Sequence, residues 1–368
     1  MRFLFACGGS AGHINPALAI AGALRSVMPD CEILFVGSGR KLENRLIPNA
    51  GYELVHLKLN GLERGLSPGK LMKNVSAAAK LLAAGRQAGK LLRERRPDAV
   101  VGTGGYVCYP ALKKAAKMRI PTFLHESNAI PGLTVKLLSG RVTNVFASFP
   151  GTEERYADPK RVVITGTPVR PGFGTVSGED ARRALGLDDR PLVLSYWGSL
   201  GAARMNAVIA DFIRCNAASG EFRHIHATGG YDAGLREQLG ETEKRLPSWI
   251  DIRPYIDDMP RVMAASDLAL SRAGASTVAE LALTATPAVL IPSPFVPNNH
   301  QTENAAQAQK NGGAVMLSEA ECTGESLYNT VLSLLGDRER LRRMSEAQKK
   351  LASPGAADRI AERILAAC

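Results

Sequence analysis

The chain has 368 residues, of which 45% are hydrophobic and 22% charged, and its formal net charge is +11. This balance is typical of a globular protein of about two domains and argues against a disordered chain. No apolar run approaches the roughly 18 residues of a membrane-spanning helix, and the N-terminus lacks the long apolar core of a secretory signal. Six scattered cysteines without a Cys-x-x-Cys pair argue against a zinc site or a disulfide framework, and they favour a reducing cytoplasm.

The first half of the chain alternates predicted strands with predicted helices. An apolar run at 3–6 leads into the loop Cys7-Gly8-Gly9-Ser10-Ala11-Gly12-His13-Ile14-Asn15-Pro16 and then into an alanine- and leucine-rich helix. Asn15 suits the N-cap of that helix and Pro16 its first position. Later strands are predicted at 32–36, 54–57, 98–101 and 121–124, and a long helix at 68–96. This alternation predicts a parallel sheet covered by helices.

A second domain begins after a stretch rich in proline and glycine at 164–174, which is typical of a linker. A strand at 191–196 then runs into a glycine loop at 198–202, and further strands are predicted at 224–226, 250–252, 268–270 and 288–291. We therefore predict an α/β protein with two Rossmann-like doubly wound domains that face a central cleft. The predicted domains are 1–165 and 166–349, and the last helical stretch, 350–368, is free to pack back on the first domain.

The first glycine loop has the strand–loop–helix order that aims backbone N–H groups at an anion. His13 adds a titratable side chain at the rim of this loop. The alternative is an ordinary first turn of a doubly wound sheet in which His13 only caps a neighbouring group. The sequence has no Gly-x4-Gly-Lys-Ser/Thr motif, which argues against a P-loop nucleotidase.

Polar side chains in other loops also follow predicted strands or open helices. Glu280 lies about one turn after Ser276 and Thr277, where a carboxylate can accept both hydroxyls of a ribose or simply be solvated. Gln301 opens the next helix and suits sugar hydroxyls, or it only begins that helix. Glu126 ends a strand beside the predicted cleft and is a second candidate titratable group.

Seven motifs occur in a fixed order along nearly the whole chain. They are Gly8-Gly9-Ser10-Ala11-Gly12-His13, Gly102-Thr103-Gly104-Gly105-Tyr106, His125-Glu126-Ser127-Asn128, Gly166-Thr167-Pro168-Val169-Arg170, Gly198-Ser199-Leu200-Gly201-Ala202, Ser271-Arg272-Ala273-Gly274-Ala275-Ser276-Thr277-Val278-Ala279-Glu280 and His300-Gln301. This set resembles the motifs of the bacterial peptidoglycan N-acetylglucosaminyltransferases. The resemblance implies a GT-B architecture and an inverting hexosyltransferase that works at the inner face of the membrane.

The resemblance also implies substrates. N-acetylglucosamine would pass from UDP-N-acetylglucosamine to the 4-hydroxyl of undecaprenyl-pyrophosphoryl-muramoyl-pentapeptide, without a metal or another cofactor. The donor contacts that it implies are Ser10, Ala11, Gly12, Asn128, Arg170, Ser199, Ile256, Ala275, Ser276, Thr277, Glu280 and Gln301. We expect His13 to be the general base, with Glu126 as its partner or as the alternative base. The loop Thr103, Gly104, Gly105 and Tyr106 is assigned to the acceptor side.

Four positions depart from the pattern of this family. Trp197 stands where glycine is usual, Leu200 where glutamine is usual, Ala11 where glycine is usual, and Thr302 where a second glutamine is frequent. These departures concern the loops around the donor sugar and leave the class of reaction unchanged.

The segment 70–96 interleaves basic and apolar residues, which suits an anionic membrane surface. Its apolar members are Leu71, Met72, Val75, Leu81, Leu82 and Leu92, and its basic members are Lys70, Lys73, Lys80, Arg86, Lys90, Arg93, Arg95 and Arg96. The alternative is an amphipathic helix that packs one face inward. Nucleic acid is disfavoured as a partner because aromatic residues are only 5% and no nucleic-acid motif is present.

Two other classes of function stay open from the sequence. One is a different GT-B transferase that moves a UDP-linked sugar to a lipid or small-molecule acceptor. The other is a non-catalytic protein that binds a nucleotide sugar or an anionic lipid. The first would fit His13 and Glu280 as well, whereas the second needs neither His13 nor Glu126 beside a diphosphate loop.

Overall fold

Two compact units make up the protein. The computed structural model describes residues 1–58, 68–198 and 201–368, and all their side chains except those of 68–80, 231, 241 and 297. Unit 1 consists of Met1–Pro171 together with Gly355–Cys368, and unit 2 consists of Gly172–Pro354. The boundary therefore follows residue 171, whereas the sequence predicts it after 165, and it assigns Arg170 to unit 1.

Unit 1 is built on a parallel sheet that has seven strands in the described residues, in the order β3-β2-β1-β4-β5-β6-β7. The strands are β1 (Arg2–Cys7), β2 (Glu32–Gly37), β3 (Glu53–His56), β4 (Ala99–Gly104), β5 (Thr122–Glu126), β6 (Asn144–Ala147) and β7 (Val162–Ile164). The helices are α1 (Ala11–Val27), α2 (Lys41–Asn49), α3 (Pro68–Arg95), α4 (Cys108–Lys117) and α5 (Leu133–Leu138). The strand order reverses between β1 and β4, because β2 and β3 lie on one side of β1 and β4 to β7 lie on the other. The loops that follow β1 and β4 therefore flank a crevice.

The central strands are buried on both faces, as expected when helices cover a parallel sheet. Phe3 and Phe5 of β1 enter the hydrophobic core on one side of the sheet, and Leu4 and Ala6 enter the core on the other side. Alternate residues of a strand point to opposite faces, so one apolar run supplies both cores.

Unit 2 repeats this plan on a parallel sheet that has six strands in the described residues, in the order β10-β9-β8-β11-β12-β13. The strands are β8 (Leu192–Tyr196), β9 (Arg223–Ala227), β10 (Ile250–Arg253), β11 (Leu268–Ser271), β12 (Ala288–Leu290) and β13 (Ala314–Met316). The helices are α6 (Gly178–Ala184), α7 (Ala203–Ser219), α8 (Asp232–Leu239), α9 (Met259–Ala265), α10 (Ala275–Leu283), α11 (His300–Lys310), α12 (Gly324–Gly336) and α13 (Arg338–Leu351). Short 3₁₀ segments lie at Glu153–Arg155 and Pro159–Arg161 in unit 1, and at Gly229–Tyr231, Gly240–Arg245 and Pro297–Asn299 in unit 2. The prediction of two doubly wound parallel sheets is thus confirmed.

The last helix, α14 (Ala356–Leu365), returns to unit 1. It follows the predicted break at Pro354-Gly355, where Gly355 has a φ of +68°. Ile360 and Ile364 are fully buried in the core that also contains residues of α1. The Arg359 guanidinium donates to the carbonyl oxygen of Thr165 at 2.7 Å, which fixes the helix beside the end of β7.

The start of α1 differs from the prediction. The helix begins at Ala11 with Ser10 at its N-cap, so the assignment of Asn15 to the N-cap and Pro16 to the first position is wrong. Pro16 lies inside the helix, where it lacks the N–H that would bond to the carbonyl of Gly12. Gly12 is exposed, so water can hydrogen-bond to that carbonyl. The earlier start places His13 in the first turn of the helix.

Three strands were not expected from the sequence: β6, β7 and β13. Each has only three or four residues, which is too short for a periodic pattern to stand out. Two of them, β6 and β7, extend the unit 1 sheet up to the start of the proline- and glycine-rich stretch at 164–174.

The apolar residues of α3 divide between core and surface. Leu92 is 2% exposed and lies in the core of unit 1, so its assignment to a lipid-facing surface is wrong, because α3 packs that face against the sheet. Leu82 is 69% exposed. The side chains of Lys70, Leu71, Met72, Lys73, Val75 and Lys80 lie outside the described set. Among the described helices none is both long and apolar enough to span a bilayer.

Candidate active site

His13 lies at the carboxyl end of the unit 1 sheet, in the crevice between β1 and β4. Its Nδ1 is 2.9 Å from the carbonyl oxygen of Gly8 and 3.4 Å from Oγ of Ser10. The other edge of the ring lies over Gly104, where a Cβ would stand 2.4 Å from Cδ2 and 2.7 Å from Nε2. Gly104 also has a φ of +119°, so glycine is required there for two independent reasons.

The loop after β4 supports His13 through two further contacts. The Thr103 hydroxyl donates to the backbone carbonyl of His13 at 2.6 Å. Gly105 has a φ of +87°, and a Cβ there would stand 2.4 Å from the carbonyl oxygen of Gly8. Thr103, Gly104 and Gly105, which the sequence predicts on the acceptor side, thus hold the histidine in place. Tyr106 follows them with 43% of its surface exposed.

Ser10, Ala11 and Gly12 form the N-terminus of α1. Ser10 is exposed and extended, and its side chain does not cap the helix. The N–H groups in the first turn of a helix lack intrahelical partners and carry its positive dipole end. This end of α1 therefore suits a negatively charged group.

Glu43 on α2 was missed by the sequence reasoning. Its carboxylate is completely buried and accepts five hydrogen bonds. The donors are the N–H of Gly9 at 2.8 Å, the N–H of Ser38 at 2.6 Å, the hydroxyl of Ser38 at 2.7 Å, the N–H of Gly39 at 2.9 Å and the N–H of Arg40 at 3.3 Å. Glu43 therefore joins the loop after β1 to the loop after β2. A glutamate at the third position of a helix is a capping signal that was available in the sequence.

Glu126 ends β5 and is 5% exposed. Its Oε1 accepts from the N–H of Asn128 at 2.9 Å and from the amide of Asn128 at 3.0 Å, and its Oε2 accepts from the N–H of Gly132 at 2.8 Å. Within the described part of the chain no hydrogen bond joins Glu126 to His13. The structure thus pairs Glu126 with Asn128 and not with the histidine.

His125 is the buried neighbour of this carboxylate. Burial, with a smaller contribution from the nearby His13, lowers the pKa of His125 to about 4. Its Nε2 lies 3.2 Å from the carbonyl oxygen of Gly166, in the loop that leads to the half-buried Arg170. The imidazole of His125 is therefore neutral at ordinary pH and fixes the loop that carries Arg170.

In unit 2 the predicted donor residues gather at the start of α10. Ala275, Ser276 and Thr277 form its first turn. The N-cap is Gly274, which has no side chain to cap the helix. Oγ of Ser276 is buried and has no hydrogen-bond partner among the described residues. Glu280 lies one turn further along and is 8% exposed. This helix N-terminus is a second place that suits an anion.

A buried ion pair supports the loop before α10, and no local pattern in the sequence predicts it. The Arg272 guanidinium lies 2.6 Å from Oε2 of Glu319 and also donates to the carbonyl of Ile291 at 3.0 Å. Arg204, at the start of α7, lies 3.8 Å from Oε1 of the same carboxylate. Glu319 thus connects the loop that follows β11 to the start of α7.

The start of α11 is held to the same region. Oε1 of Gln301 accepts from the N–H of Ser293 at 2.8 Å, so only the side-chain amide nitrogen of Gln301 is a hydrogen-bond donor. The buried Asn304 donates from Nδ2 to the carbonyl of Ala273 at 3.1 Å. Ile256, in the loop before α9, is 3% exposed.

The positions that depart from the family pattern have different surroundings. Trp197 is 3% exposed and packs in the hydrophobic core of unit 2, so its bulk points away from the loop surface. Thr302 is exposed on α11, and Ala11 is the first residue of α1. Ser199 and Leu200 lie outside the described residues. Across the ranges described, no three His, Cys, Asp or Glu side chains converge as a metal site would need.

Comparisons with known proteins cover both units. The glycosyltransferase family 28 N-terminal domain matches residues 3–147, and the family 28 C-terminal domain matches residues 193–360. A UDP-N-acetylglucosamine–N-acetylmuramyl-(pentapeptide) pyrophosphoryl-undecaprenol N-acetylglucosamine transferase from Acetivibrio thermocellus is 42% identical over 365 residues, which cover 98% of this chain and 97% of the relative. The enzyme of the same name from Ruminiclostridium cellulolyticum is 39% identical and covers 98% of both chains. The crystal structure of MurG from Acinetobacter baumannii superimposes with a TM-score of 0.77 at 26% identity over 99% of both chains.

Proposed function

Because the chain belongs to the family of UDP-N-acetylglucosamine–N-acetylmuramyl-(pentapeptide) pyrophosphoryl-undecaprenol N-acetylglucosamine transferases, we propose how its own residues carry out that transfer. The protein is an inverting hexosyltransferase with GT-B architecture. It moves N-acetylglucosamine from UDP-N-acetylglucosamine to the 4-hydroxyl of the muramoyl unit of undecaprenyl-pyrophosphoryl-muramoyl-pentapeptide. The products are UDP and the lipid-linked disaccharide used for peptidoglycan.

His13 is assigned as the general base. The observation that carries this assignment is the fixed position of His13 at the mouth of the unit 1 crevice. Gly8 and Gly104 contact its ring, and Thr103 contacts its backbone carbonyl. With Nδ1 directed to the Gly8 carbonyl, Nε2 is the nitrogen left to accept a proton, and it makes no hydrogen bond within the described part of the chain. Nε2 takes the proton of the acceptor 4-hydroxyl as that oxygen attacks the anomeric carbon, a contribution of about 10²–10⁴-fold to the rate.

Glu126 is assigned to positioning. Three N–H donors occupy its carboxylate, two of them from Asn128, so the geometry favours His13 over Glu126 as the base. By fixing the loop after β5, Glu126 orients Asn128 toward the donor sugar. The proposal therefore retains one base and treats Glu126 as the residue that presents Asn128.

The donor diphosphate is assigned to helix N-termini and nearby polar groups. In unit 2, the first turn of α10 and the buried Ser276 hydroxyl meet the diphosphate, Glu280 accepts the ribose hydroxyls, and Gln301 donates to the sugar. In unit 1, Ser10, Ala11 and Gly12 meet the sugar end, and Arg170 supplies positive charge. The proposed donor contacts also include Ala275, Thr277 and the backbone of Ile256, together with Ser199, which lies outside the described residues. These groups stabilise the charge that develops on UDP as it leaves, and they are already oriented before the reaction.

A membrane-facing surface is assigned to unit 1. On α3, Leu82 is 69% exposed and the neighbouring Arg86 and Lys90 are exposed as well. On α4, Lys113 and Lys117 are exposed. Basic side chains around an exposed leucine suit an anionic leaflet, where the lipid-linked acceptor resides. The protein then acts as a peripheral protein at the cytoplasmic face of the membrane.

One assay tests this function against its alternatives. Labelled UDP-N-acetylglucosamine is offered with undecaprenyl-pyrophosphoryl-muramoyl-pentapeptide, and UDP release and lipid-linked disaccharide are both measured, with UDP-galactose as the donor control. We expect equal amounts of both products from UDP-N-acetylglucosamine and little from UDP-galactose. Transfer only to another lipid or a small molecule would indicate a different GT-B transferase. Binding of the nucleotide sugar without either product would indicate a binding protein.

A further inference from the structure

Glu43 and His13 contact the two ends of a single peptide group. The peptide that joins Gly8 to Gly9 presents its carbonyl oxygen to Nδ1 of His13 at 2.9 Å and its N–H to Oε1 of Glu43 at 2.8 Å. We propose that Glu43 acts through this peptide as the positioning residue of the catalytic histidine, fixing which nitrogen carries the proton and stabilising the positive charge that the ring acquires. This inference rests on the proposed role of His13 as the base.

The surroundings of Glu43 suit an ionised carboxylate. All five of its hydrogen-bond partners are donors, four backbone N–H groups and one hydroxyl, and an ionised carboxylate can only accept. The fit is close, because a Cβ on Gly8 would lie 2.4 Å from Oε1 and a Cβ on Gly37 would lie 2.7 Å from Oε2. The buried negative charge of Glu43 therefore holds these N–H and O–H groups in a fixed orientation.

The same geometry determines the tautomer of His13. A carbonyl oxygen has no proton to give, so the 2.9 Å contact requires Nδ1 to carry the hydrogen. Nε2 is then unprotonated in the neutral ring and is the basic nitrogen. A peptide whose N–H is bonded to a carboxylate is polarised, which makes its carbonyl oxygen a better acceptor. As the ring becomes positively charged, this oxygen and the carboxylate behind it stabilise the charge.

Three further titratable groups in the described part of the chain lie near His13 or the loop that it contacts. His125 on β5 is neutral because burial lowers its pKa to about 4, and Cys108 on α4, which bonds to Gly104, is a neutral thiol because burial raises its pKa to about 12. The guanidinium of Arg40 lies near Gly9, 3.8 Å from where a Cβ would stand. Glu43 is therefore the negative group among these neighbours.

The experiment compares Glu43→Gln with Ser38→Ala. The glutamine keeps the shape but loses the charge and one acceptor position, whereas Ser38→Ala removes one donor and keeps the carboxylate. The first readout is kcat/KM as a function of pH, with thermal melting to establish that each variant folds. The second is the ¹⁵N NMR spectrum of histidine in the unsubstituted protein, with the His13 signals identified by their loss in His13→Ala.

We expect Glu43→Gln to lower kcat about tenfold, as for partial loss of general-base efficiency, and to leave the affinity for UDP unchanged. The acidic limb of the pH profile should move to lower pH, because the protonated ring loses a stabilising charge. Ser38→Ala should keep the limb in place. The NMR spectrum at alkaline pH should show the proton of neutral His13 on Nδ1.

Two results would overturn the inference. A limb that stays in place in a folded Glu43→Gln variant would reduce Glu43 to a structural residue. A proton on Nε2 of neutral His13 would contradict the proposed action of Glu43 through the Gly8–Gly9 peptide, even if Glu43→Gln failed to fold. Turnover that survives His13→Ala would overturn the base assignment itself, and this failure is distinguishable because the NMR readout requires no turnover.

Discussion

The His13 imidazole packs directly against the backbone of Gly104, at the position where any other residue would carry its Cβ. We predict that Gly104→Ala strongly lowers turnover and lowers the free energy of unfolding by about 1–3 kcal/mol, since it forces a positive φ on alanine and displaces the ring. Gly22→Ala is the matched control, because Gly22 lies in α1 with no atom within 4 Å of a Cβ. That variant should gain about 0.5–1 kcal/mol in urea unfolding and keep its turnover. Full turnover in Gly104→Ala would contradict a role for the contact between His13 and Gly104 in catalysis.

Removing the His13 side chain tests the base directly. His13→Ala should lower kcat by about 10²–10⁴-fold, because the acceptor hydroxyl loses the group that takes its proton. The affinity for UDP, measured by calorimetry, should stay the same, since the nucleotide is assigned to unit 2. His56→Ala is the control, as His56 is an exposed histidine that contacts Asn44. A tenfold loss of UDP affinity with normal kcat would assign His13 to donor binding instead.

Ser276 separates ligand binding from stability. Its Oγ is buried without a hydrogen-bond partner among the described residues, so Ser276→Ala should leave the free energy of unfolding unchanged or slightly higher. Its affinity for UDP should fall about fivefold, which is the loss of one hydrogen bond of roughly 1 kcal/mol. Ser266→Ala should behave oppositely, because the Ser266 hydroxyl donates to the carbonyl of Val262 at 2.7 Å. Equal UDP affinity in both variants would remove Ser276 from the proposed site.

Buried histidines predict that the protein loses stability as the pH falls. Ser195 lies between His224 and His226, at 2.7 and 2.6 Å, and burial lowers the pKa of His224 well below its ordinary value and that of His226 to about 3. The unfolded chain binds protons at about pH 6.5, whereas the folded state stays neutral until far lower pH. The stabilisation is therefore complete above about pH 6.5 and is lost below it, at up to roughly 1.4 kcal/mol per pH unit for each histidine.

Urea unfolding between pH 7.5 and 5 measures this slope. His226→Leu should flatten it, because one of the buried neutral rings no longer titrates in the unfolded chain. His56→Leu removes an exposed ring and should leave the slope unchanged. The explanation fails if the two variants show the same slope as the unsubstituted protein.

The surface of α3 predicts dependence on lipid charge. Arg86→Glu with Lys90→Glu should reduce flotation with anionic vesicles, since each basic residue near the surface contributes roughly 1 kcal/mol. Lys349→Glu with Lys350→Glu changes the net charge equally on the exposed face of α13 in unit 2 and should float normally. Binding that ignores both lipid charge and salt concentration would contradict an electrostatic surface.

The sequence is sufficient for the architecture and for the glycine loops, because apolar strands and glycine turns are local signals. It is insufficient where partners meet only on folding. Glu43 and Gly9 are far apart along the chain, as are Arg272 and Glu319, and no local pattern connects them. Leu92 belongs to a helix whose basic and apolar residues alternate around several faces, so only packing shows that it is buried.

Residue identity also left the orientation of side chains open. Glu126 was a candidate base because its type and position suit that chemistry, yet three N–H donors occupy it in the fold. Pro16 suggested a helix start, but the helix tolerates it within its second turn. Both cases need the positions of hydrogen-bond partners, which composition and spacing do not supply.

The return of α14 to unit 1 has a consequence for the order in which the protein can fold during synthesis. Residues 172–354, all of unit 2, are synthesised before Ile360 and Ile364, so the first core lacks its last helix throughout the synthesis of unit 2. Until α14 has been synthesised, the face of α1 that α14 covers is open to solvent or to chaperones. A ribosome stalled anywhere in unit 2 would therefore hold a nascent chain whose first domain cannot be completed.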